Sequence, residues 1–443
     1  MKLRIASALI VVSLVALAGI DRPLAQSDLP MAKPETVGVS SKRLERVKAY
    51  IQEYIDTNQI AGAVTLIARK GKVVHHEAQG WRYKEENQPM QKDTIFTLMS
   101  MTKPIVSTAL MMLWEDGKFM LDDPISKFLP SYKNQMVLEN GQLVKPARPV
   151  TIRHILTHTS GLGLAPPRPP NPATEGSVAA AVAAVTSAPP PPGPRATSLA
   201  ELVERAAQYP LHFQPGERWE YGDSTDYVAV LVEKISGQSI DDFLRTRILE
   251  PLGMRDTHYN VPREKVNRVS AVYRPLENGK IELFRKPEFR EPTFGRGVAG
   301  LNGTAGDYFK FCQLLLNGGE YNGHRLLGRM TVDMMFSNHI GAGPSKRVAV
   351  RGDGYGFGLG GAVLTDPAKA PDALSIGTWS WGGAWGTVFW IDPVEELIPI
   401  MLIQITSYSH FNIRPLFSVI SSQAVVDSLA DQKPRVMGYE TPK

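Results

Sequence analysis

Segments with strand-forming composition lie near both ends of this chain, and the stretch between them has the pattern of helices and loops. Two β-rich runs, 63–68 and 73–78, flank a polar turn near the start. Two more, 387–391 and 397–406, flank a turn near the end. We therefore predict an α/β fold, with an antiparallel sheet flanked by helices and a mostly helical region inserted between its two halves.

A helix is predicted beside each pair of strands. Ser40 or Ser41 can cap the first, whose apolar residues recur at a spacing of three to four, and the second is predicted from Pro415 to about Leu429. The predicted α/β domain comprises 32–97 and 294–431, and the helical domain comprises 98–293. A Pro-rich insert within it, 165–195, is predicted to be a loop. Whether this loop shapes access to a site or is a surface insertion stays open.

The first residues have the pattern of an export signal. Lys2 and Arg4 precede an apolar run, and small residues at Ala18 and Ala25 offer cleavage sites. The run is shorter than the roughly 20 residues of a membrane-crossing helix. We predict that residues 1–25 are a signal peptide, that the protein is periplasmic or secreted, and that it is not inserted in a membrane after cleavage. An uncleaved anchor is the alternative.

Composition and motif searches exclude several other classes of protein. The net charge is +5 and charged residues are scattered, so no nucleic-acid partner is predicted. The single cysteine, Cys312, excludes an intrachain disulfide and is predicted to be buried. His154 and His158 have helical spacing but no accompanying glutamate of a zinc motif, so structural roles are predicted and no metal site is indicated.

Ser100-Met101-Thr102-Lys103 is the motif that points to chemistry. Residues three apart on a helix share a face, with Cβ atoms about 5–6 Å apart. A serine is a poor nucleophile without a base, and a lysine placed this way can share its proton. The apolar residues that follow predict a buried helix whose first turn presents Ser100. A solvated helix lysine is the alternative for Lys103.

Two further elements can complete such a site. Tyr221 precedes a predicted helix, and it can act as a base if Lys103 supplies a neighbouring positive charge. The block from Ser380 to Gly386 is rich in glycine and tryptophan, and the N–H groups of Ala384 and Ser100 can form a pair of donors for an oxyanion. Taken alone, each element is better explained by a structural role, Tyr221 as a packing tyrosine and the block as a glycine-rich edge strand.

With these motifs in place, the chain resembles the serine β-lactamase and penicillin-binding-protein superfamily, most closely the class C β-lactamases and family VIII esterases. The resemblance covers roughly 37–429. It rests on Ser100-Met101-Thr102-Lys103-Pro104, Leu121-Asp122-Asp123-Pro124-Ile125, the run from Val150 to Leu162, Phe213-Gln214-Pro215-Gly216, Pro251-Leu252-Gly253-Met254 and the tryptophan-glycine block.

The resemblance implies an acyl-enzyme on Ser100, proton transfer by Lys103 and Tyr221, an oxyanion hole at Ser100 and Ala384, and no cofactor. Asp223 stands where the lactamase pattern has asparagine, and Trp381-Gly382-Gly383 replaces Lys-Thr-Gly; these four residues are the predicted substrate contacts. Because the missing lysine would hold a β-lactam carboxylate, we predict a carboxylic ester hydrolase acting on a small ester or amide.

Several alternatives remain open at this point. The same machinery serves a β-lactamase, a D,D-peptidase or an acyltransferase. Outside enzymes, a non-catalytic penicillin-binding-like protein can keep the fold. Oligomeric state, acyl-chain length and stereochemical preference do not follow from the sequence.

Overall fold

The computed structural model describes residues 29–167, 196–348, 350–407 and 412–427. The predicted signal peptide lies outside these residues, as does most of the predicted Pro-rich loop. Within the described ranges, no helix combines the length and the apolar character needed to cross a membrane.

The central element is an eight-stranded antiparallel sheet in the order β12-β13-β14-β15-β16-β1-β2-β3. The strands of the described residues are β1 Gly62–Arg69, β2 Lys72–Tyr83, β3 Gln88–Pro89, β4 Phe96–Thr97, β5 Val137–Glu139, β6 Gln142–Val144, β7 Val272–Pro275, β8 Ile281–Arg285, β9 Asn302–Gly303, β10 Glu320–Tyr321, β11 His324–Arg325, β12 Tyr355–Phe357, β13 Ala362–Leu364, β14 Trp379–Gly382, β15 Val388–Ile391 and β16 Leu397–Leu402.

The two ends of the chain meet at the centre of this sheet. β1 pairs with β16 in antiparallel register, with Val64 opposite Leu402. Every residue of both strands is buried, so both faces of the sheet are covered at this point. The prediction of one antiparallel sheet built from both ends is therefore confirmed.

Helices cover the sheet and form the region beside it. They are α1 Ser41–Asp56, α2 Thr102–Glu115, α3 Ile152–Leu156, α4 Leu199–Ala206, α5 Ser224–Ser236, α6 Ile240–Leu244, α7 Ala305–Leu316, α8 Arg329–Phe336 and α9 Ile413–Ser422. Helix α1 packs on α9 and β2, while α7 contacts β1 and β16. Helix α2 packs mainly against α5, and together they form the centre of the helical region.

The predicted start of the first helix is confirmed, because the Ser40 side chain accepts from Arg43 N at 3.3 Å. The predicted end of the last helix near residue 429 is wrong. Helix α9 ends at Ser422, since the chain then turns to pair with the N-terminal segment: Ser40 N donates to Ala424 O at 2.8 Å.

Two other features differ from the predicted pattern. The last strand ends at Leu402 rather than 406, because the chain leaves the sheet there and hydrogen-bonds to Tyr273 through Gln404 O and Thr406 N. The region between the two halves of the sheet also contains hairpins, β5–β6 and β7–β8, that the helical interpretation omitted. The second hairpin packs beside the site described below.

Candidate active site

Ser100 lies at the junction between a short 3-10 turn, Met99–Met101, and helix α2. Its side chain is mostly buried, with 8% of the residue exposed. Met99 has a φ of 51°, which is a left-handed conformation that residues with a side chain rarely adopt. The predicted buried helix is confirmed, since α2 is buried from Thr102 to Leu113, but Ser100 lies on the 3-10 turn that precedes this helix rather than on its first turn.

Lys103 is the immediate neighbour of the Ser100 hydroxyl. Its Nζ lies 3.2 Å from Ser100 Oγ and donates to the carbonyl oxygen of Val298 at 2.8 Å. Only 1% of Lys103 is exposed, and in the described ranges no carboxylate lies within salt-bridge distance of its amine. The alternative of a solvated helix lysine is therefore wrong, and the amine stands within the distance that proton transfer requires.

Tyr221 reaches the same site from the segment before α5. Its ring faces Lys103, with Nζ 4.8 Å from the ring centroid, which is within cation–π range. Three aromatic side chains hold the ring: His158 at 5.0 Å, Trp381 at 5.2 Å and Trp219, stacked at 6.1 Å. Within the described residues, no hydrogen bond joins the Tyr221 hydroxyl to Ser100 or Lys103. The structure thus brings the ring, rather than the phenol oxygen, into contact with the amine.

The turn after β14 contacts the segment that immediately precedes Ser100. It closes through hydrogen bonds from Gly383 N to Thr387 O at 2.8 Å and from Gly386 N to Gly383 O at 3.1 Å. The hydrogen bonds of the described residues leave the N–H groups of Ser100 and Ala384 unused. Backbone amides without a partner are the donors that an oxyanion hole needs, because they can stabilise the oxygen of a carbonyl as it becomes negative.

Contacts between this turn and the segment before Ser100 require a glycine at 383. Thr387 Oγ1 donates to Leu98 O at 3.0 Å, which joins the turn to the nucleophile's own segment. A Cβ on Gly383 would lie 2.2 Å from Thr387 Oγ1 and 2.3 Å from Leu98 O. Arg414, on α9, also holds the turn by donating to the carbonyl oxygens of Gly383 and Thr387. The sequence analysis did not identify Arg414.

The other predicted substrate contacts, Trp381, Gly382 and Asp223, have different surroundings. Trp381 is buried and packs against Tyr221 and Phe357, so it supports the wall of the site. Gly382 lies in β14 beside the guanidinium of Arg414. The carboxylate of Asp223 accepts from Leu164 N at 3.2 Å, and burial raises its pKa. This carboxylate is therefore engaged by a neighbouring loop.

Asp226 is a second residue that the sequence analysis missed. It is fully buried, forms an ion pair with Arg296, and accepts from the backbone N–H groups of Gly297 at 2.8 Å and Val298 at 3.2 Å. The same Val298 contributes the carbonyl oxygen that binds Lys103. Asp226 thus positions the loop that positions the amine.

A weak signal for Asp226 was present in the sequence. An aspartate inside an otherwise apolar stretch requires hydrogen-bond partners when it is buried. Its partner Arg296 is separated from it by 70 residues, however, so no local spacing could identify the pair.

The two histidines with helical spacing have separate surroundings. His154 Nδ1 accepts from Thr151 N at 3.1 Å and completes the cap of α3. His158 is buried against Tyr221, and burial lowers its pKa well below the ordinary value. Cys312 is buried as predicted, and burial raises the pKa of its thiol.

The fold joins a helical region to an antiparallel sheet and places a serine beside a lysine amine. A serine with a neighbouring base is the arrangement of a serine hydrolase. The chain matches the Beta-lactamase family over residues 47–415. It belongs to this family, and the predicted resemblance to serine β-lactamases and penicillin-binding proteins is confirmed.

Similar proteins include two named esterases. Esterase EstB of Burkholderia gladioli is 30% identical over 379 residues, which cover 82% of this chain and 90% of EstB. Lovastatin esterase of Penicillium rubens is 31% identical over 391 residues, which cover 80% and 91% of the two chains. Among solved structures, EstCE1, described as a hydrolase with promiscuous acyltransferase activity, superposes with a TM-score of 0.71 at 27% identity, covering 87% of this chain and 98% of its own.

Proposed function

We propose that this protein is a carboxylic ester hydrolase that acts through an acyl-enzyme on Ser100. The observation that carries the proposal is the buried contact of 3.2 Å between Lys103 Nζ and Ser100 Oγ. A hydroxyl becomes an effective nucleophile when a base stands at this distance. The unused N–H groups of Ser100 and Ala384 support the same reaction, because an acyl transfer develops negative charge on the carbonyl oxygen.

The reaction follows from these positions. Lys103 takes the hydroxyl proton as Ser100 Oγ bonds to the carbonyl carbon, and the oxyanion faces the two amides. The bond to the alcohol then breaks, and we assign to the Tyr221 hydroxyl the delivery of a proton to the leaving oxygen. Water next bonds to the acyl carbon and gives a proton to the Tyr221 phenolate. The bond from that carbon to Ser100 Oγ then breaks as Lys103 returns its proton to the serine, and the acid leaves. The Tyr221 step requires its hydroxyl to turn toward Ser100 when substrate is bound.

An ester is favoured over a β-lactam on two grounds. Trp381 occupies the position where the lactamase pattern has a lysine, and its indole has no charge for a β-lactam carboxylate. The similarity to EstB and to lovastatin esterase points the same way. Acyl transfer to an alcohol in place of water is the second candidate, supported by the description of EstCE1.

The test is covalent labelling with a fluorophosphonate, which reacts with activated serines. The intact protein is expected to be labelled, and Ser100→Ala is expected to abolish labelling. Ser107→Ala is the matched control, because Ser107 is a buried serine on the same helix and should leave labelling unchanged. A folded wild-type protein that takes no label would contradict the proposal.

Turnover then separates the substrate classes. Hydrolysis of p-nitrophenyl butyrate is expected to exceed hydrolysis of a chromogenic cephalosporin, and equal rates would remove the preference for esters. Addition of a small alcohol tests acyl transfer, since a transferase forms the new ester in place of the free acid.

We also propose that the enzyme is exported, on the strength of the basic and apolar pattern in residues 1–25. N-terminal sequencing of the protein recovered from periplasm or medium tests this proposal. A new N-terminus after Ala18 or Ala25 is expected, and an intact Met1 in the cell-associated fraction would contradict it.

A further inference from the structure

Arg285 is the last residue of β8, in the hairpin that packs beside the site. Its guanidinium lies over the ring of Trp385, 4.4 Å from the ring to Cζ, and Nη2 donates to Thr97 Oγ1 at 3.3 Å. In the described ranges no carboxylate pairs with it. Arg296 and Arg268, which are also partly buried, are each paired with an aspartate.

Both contacts of Arg285 belong to segments that build the active site. Thr97 precedes Ser100 by three residues, and Trp385 directly follows Ala384. Because consecutive Cα atoms are about 3.8 Å apart, Thr97 Cα lies at most about 11 Å from Ser100 Cα, and Trp385 Cα about 3.8 Å from Ala384 Cα. The guanidinium therefore contacts the two segments that carry Ser100 and Ala384.

No carboxylate of the described residues forms an ion pair with the Arg285 guanidinium. Burial and the neighbouring Arg290 lower the pKa of Arg285 to about 10. Glu288 offsets part of this effect, but its carboxylate lies 3.6 Å from Arg290, to which it is paired. A guanidinium has five N–H donors, and hydrogen bonds to the described residues engage one of them here. An incoming carboxylate would supply the missing charge and accept two of the remaining donors.

We propose that Arg285 forms an anion-binding subsite that selects esters carrying a carboxylate remote from the scissile carbonyl, such as half-esters of dicarboxylic acids. The stacking on Trp385 fixes the plane of the guanidinium, so the carboxylate is oriented as well as attracted. This proposal rests on the proposed esterase function, and it places the cation on a different segment from the lysine that Trp381 replaces. The subsite would act on substrate affinity, while the bond-making groups remain those around Ser100.

The experiment compares two p-nitrophenyl esters, the glutarate half-ester and its neutral methyl ester. Wild type is expected to prefer the charged ester, and Arg285→Gln is expected to lower kcat/KM for it by about 10- to 100-fold through KM, with the neutral ester changed by less than about twofold. Arg285→Lys should recover only part of the preference, because an ammonium group lacks the planar pair of N–H donors with which a guanidinium binds a carboxylate. A second pair, carboxyphenyl butyrate and phenyl butyrate, repeats the comparison with the charge on the leaving group. A preference for the charged ester in either pair supports the subsite.

Arg274→Gln is the matched control, since it removes an exposed arginine from the same hairpin. This variant should leave the preference unchanged, and circular dichroism verifies that both variants are folded. Two results would overturn the subsite but leave the proposed function standing. In the first, the wild type hydrolyses the neutral esters and shows no preference for the charged ones. In the second, Arg285→Gln loses activity equally on charged and neutral esters. A wild type inactive on all four esters would overturn the proposed function and the subsite together.

Discussion

Adding one methyl group at Gly383 is expected to impair catalysis without unfolding the protein. The new Cβ would lie 2.2 Å from Thr387 Oγ1 and 2.3 Å from Leu98 O, and real contacts of this kind do not fall below 3.0 Å. Thr387 is itself hydrogen-bonded to Leu98 O at 3.0 Å, so rotating its side chain would break that bond and leave the clash with the carbonyl. The turn must therefore move by at least about 0.7 Å relative to Leu98.

This displacement separates the Ala384 N–H from the segment that carries Ser100. Losing one oxyanion donor lowers kcat by about 10²–10³-fold. We expect kcat of Gly383→Ala for p-nitrophenyl butyrate to fall about 100-fold with little change in KM, because the interaction strengthens in the transition state. Overpacking of this kind costs about 1–3 kcal/mol of stability. A urea titration monitored by circular dichroism verifies that the variant remains folded.

Gly222→Ala is the matched control beside Tyr221. A Cβ on Gly222 meets nothing within 4 Å, so this variant should keep kcat within about twofold of wild type. If a folded Gly383→Ala protein kept its full kcat, the assignment of the Ala384 N–H in this turn as an oxyanion donor would be refuted. An equal loss in Gly222→Ala would show that the effect does not come from the contacts at Gly383.

Three further predictions concern the base, the buried aspartate and pH. Lys103→Met keeps the side-chain length but removes the amine, so kcat should fall by about 10²–10⁴-fold in ester hydrolysis assays; near-normal turnover would exclude Lys103 as the base. Asp226→Asn removes a buried carboxylate that pairs with the partly exposed Arg296 and accepts from two backbone N–H groups, so the free energy of unfolding should fall by about 1–3 kcal/mol in urea titrations; an unchanged value would show that the carboxylate contributes little. Burial lowers the pKa of His75 from 6.5 to about 4, so the unfolded chain binds more protons in this window and stability falls as the pH drops through it. His75→Gln should flatten this dependence by up to about 1.4 kcal/mol per pH unit, and identical slopes in the two proteins would contradict the assignment.

Local spacing explains why part of the site could be predicted from the sequence alone. Ser100 and Lys103 are three residues apart, and the geometry of one helical turn places such residues on the same face whatever surrounds them. The first hairpin and the Ser40 cap are likewise determined by neighbouring residues. Strand pairing between the two ends was also predictable, because each end carried its own hairpin and helix.

Other parts of the site depend on contacts between distant segments. Tyr221 was recognised as a candidate, but only packing against His158, Trp219 and Trp381 determines that its ring faces the amine of Lys103. The end of α9 was mispredicted for a similar reason. Helical periodicity carries no information about the pairing of the following residues with the chain's N-terminal segment.

The sequence by itself determined the antiparallel sheet joined from both ends, the buried helix α2, and the serine–lysine pair where this helix begins. Only the tertiary structure decided how Asp226 and Arg296 hold the Val298 carbonyl against Lys103, how Arg414 holds the turn that presents Ala384, and where Arg285 stands. The physical reason is separation along the chain. A short covalent segment restricts the relative positions of nearby residues, whereas partners 27 or more residues apart meet only when the whole core packs.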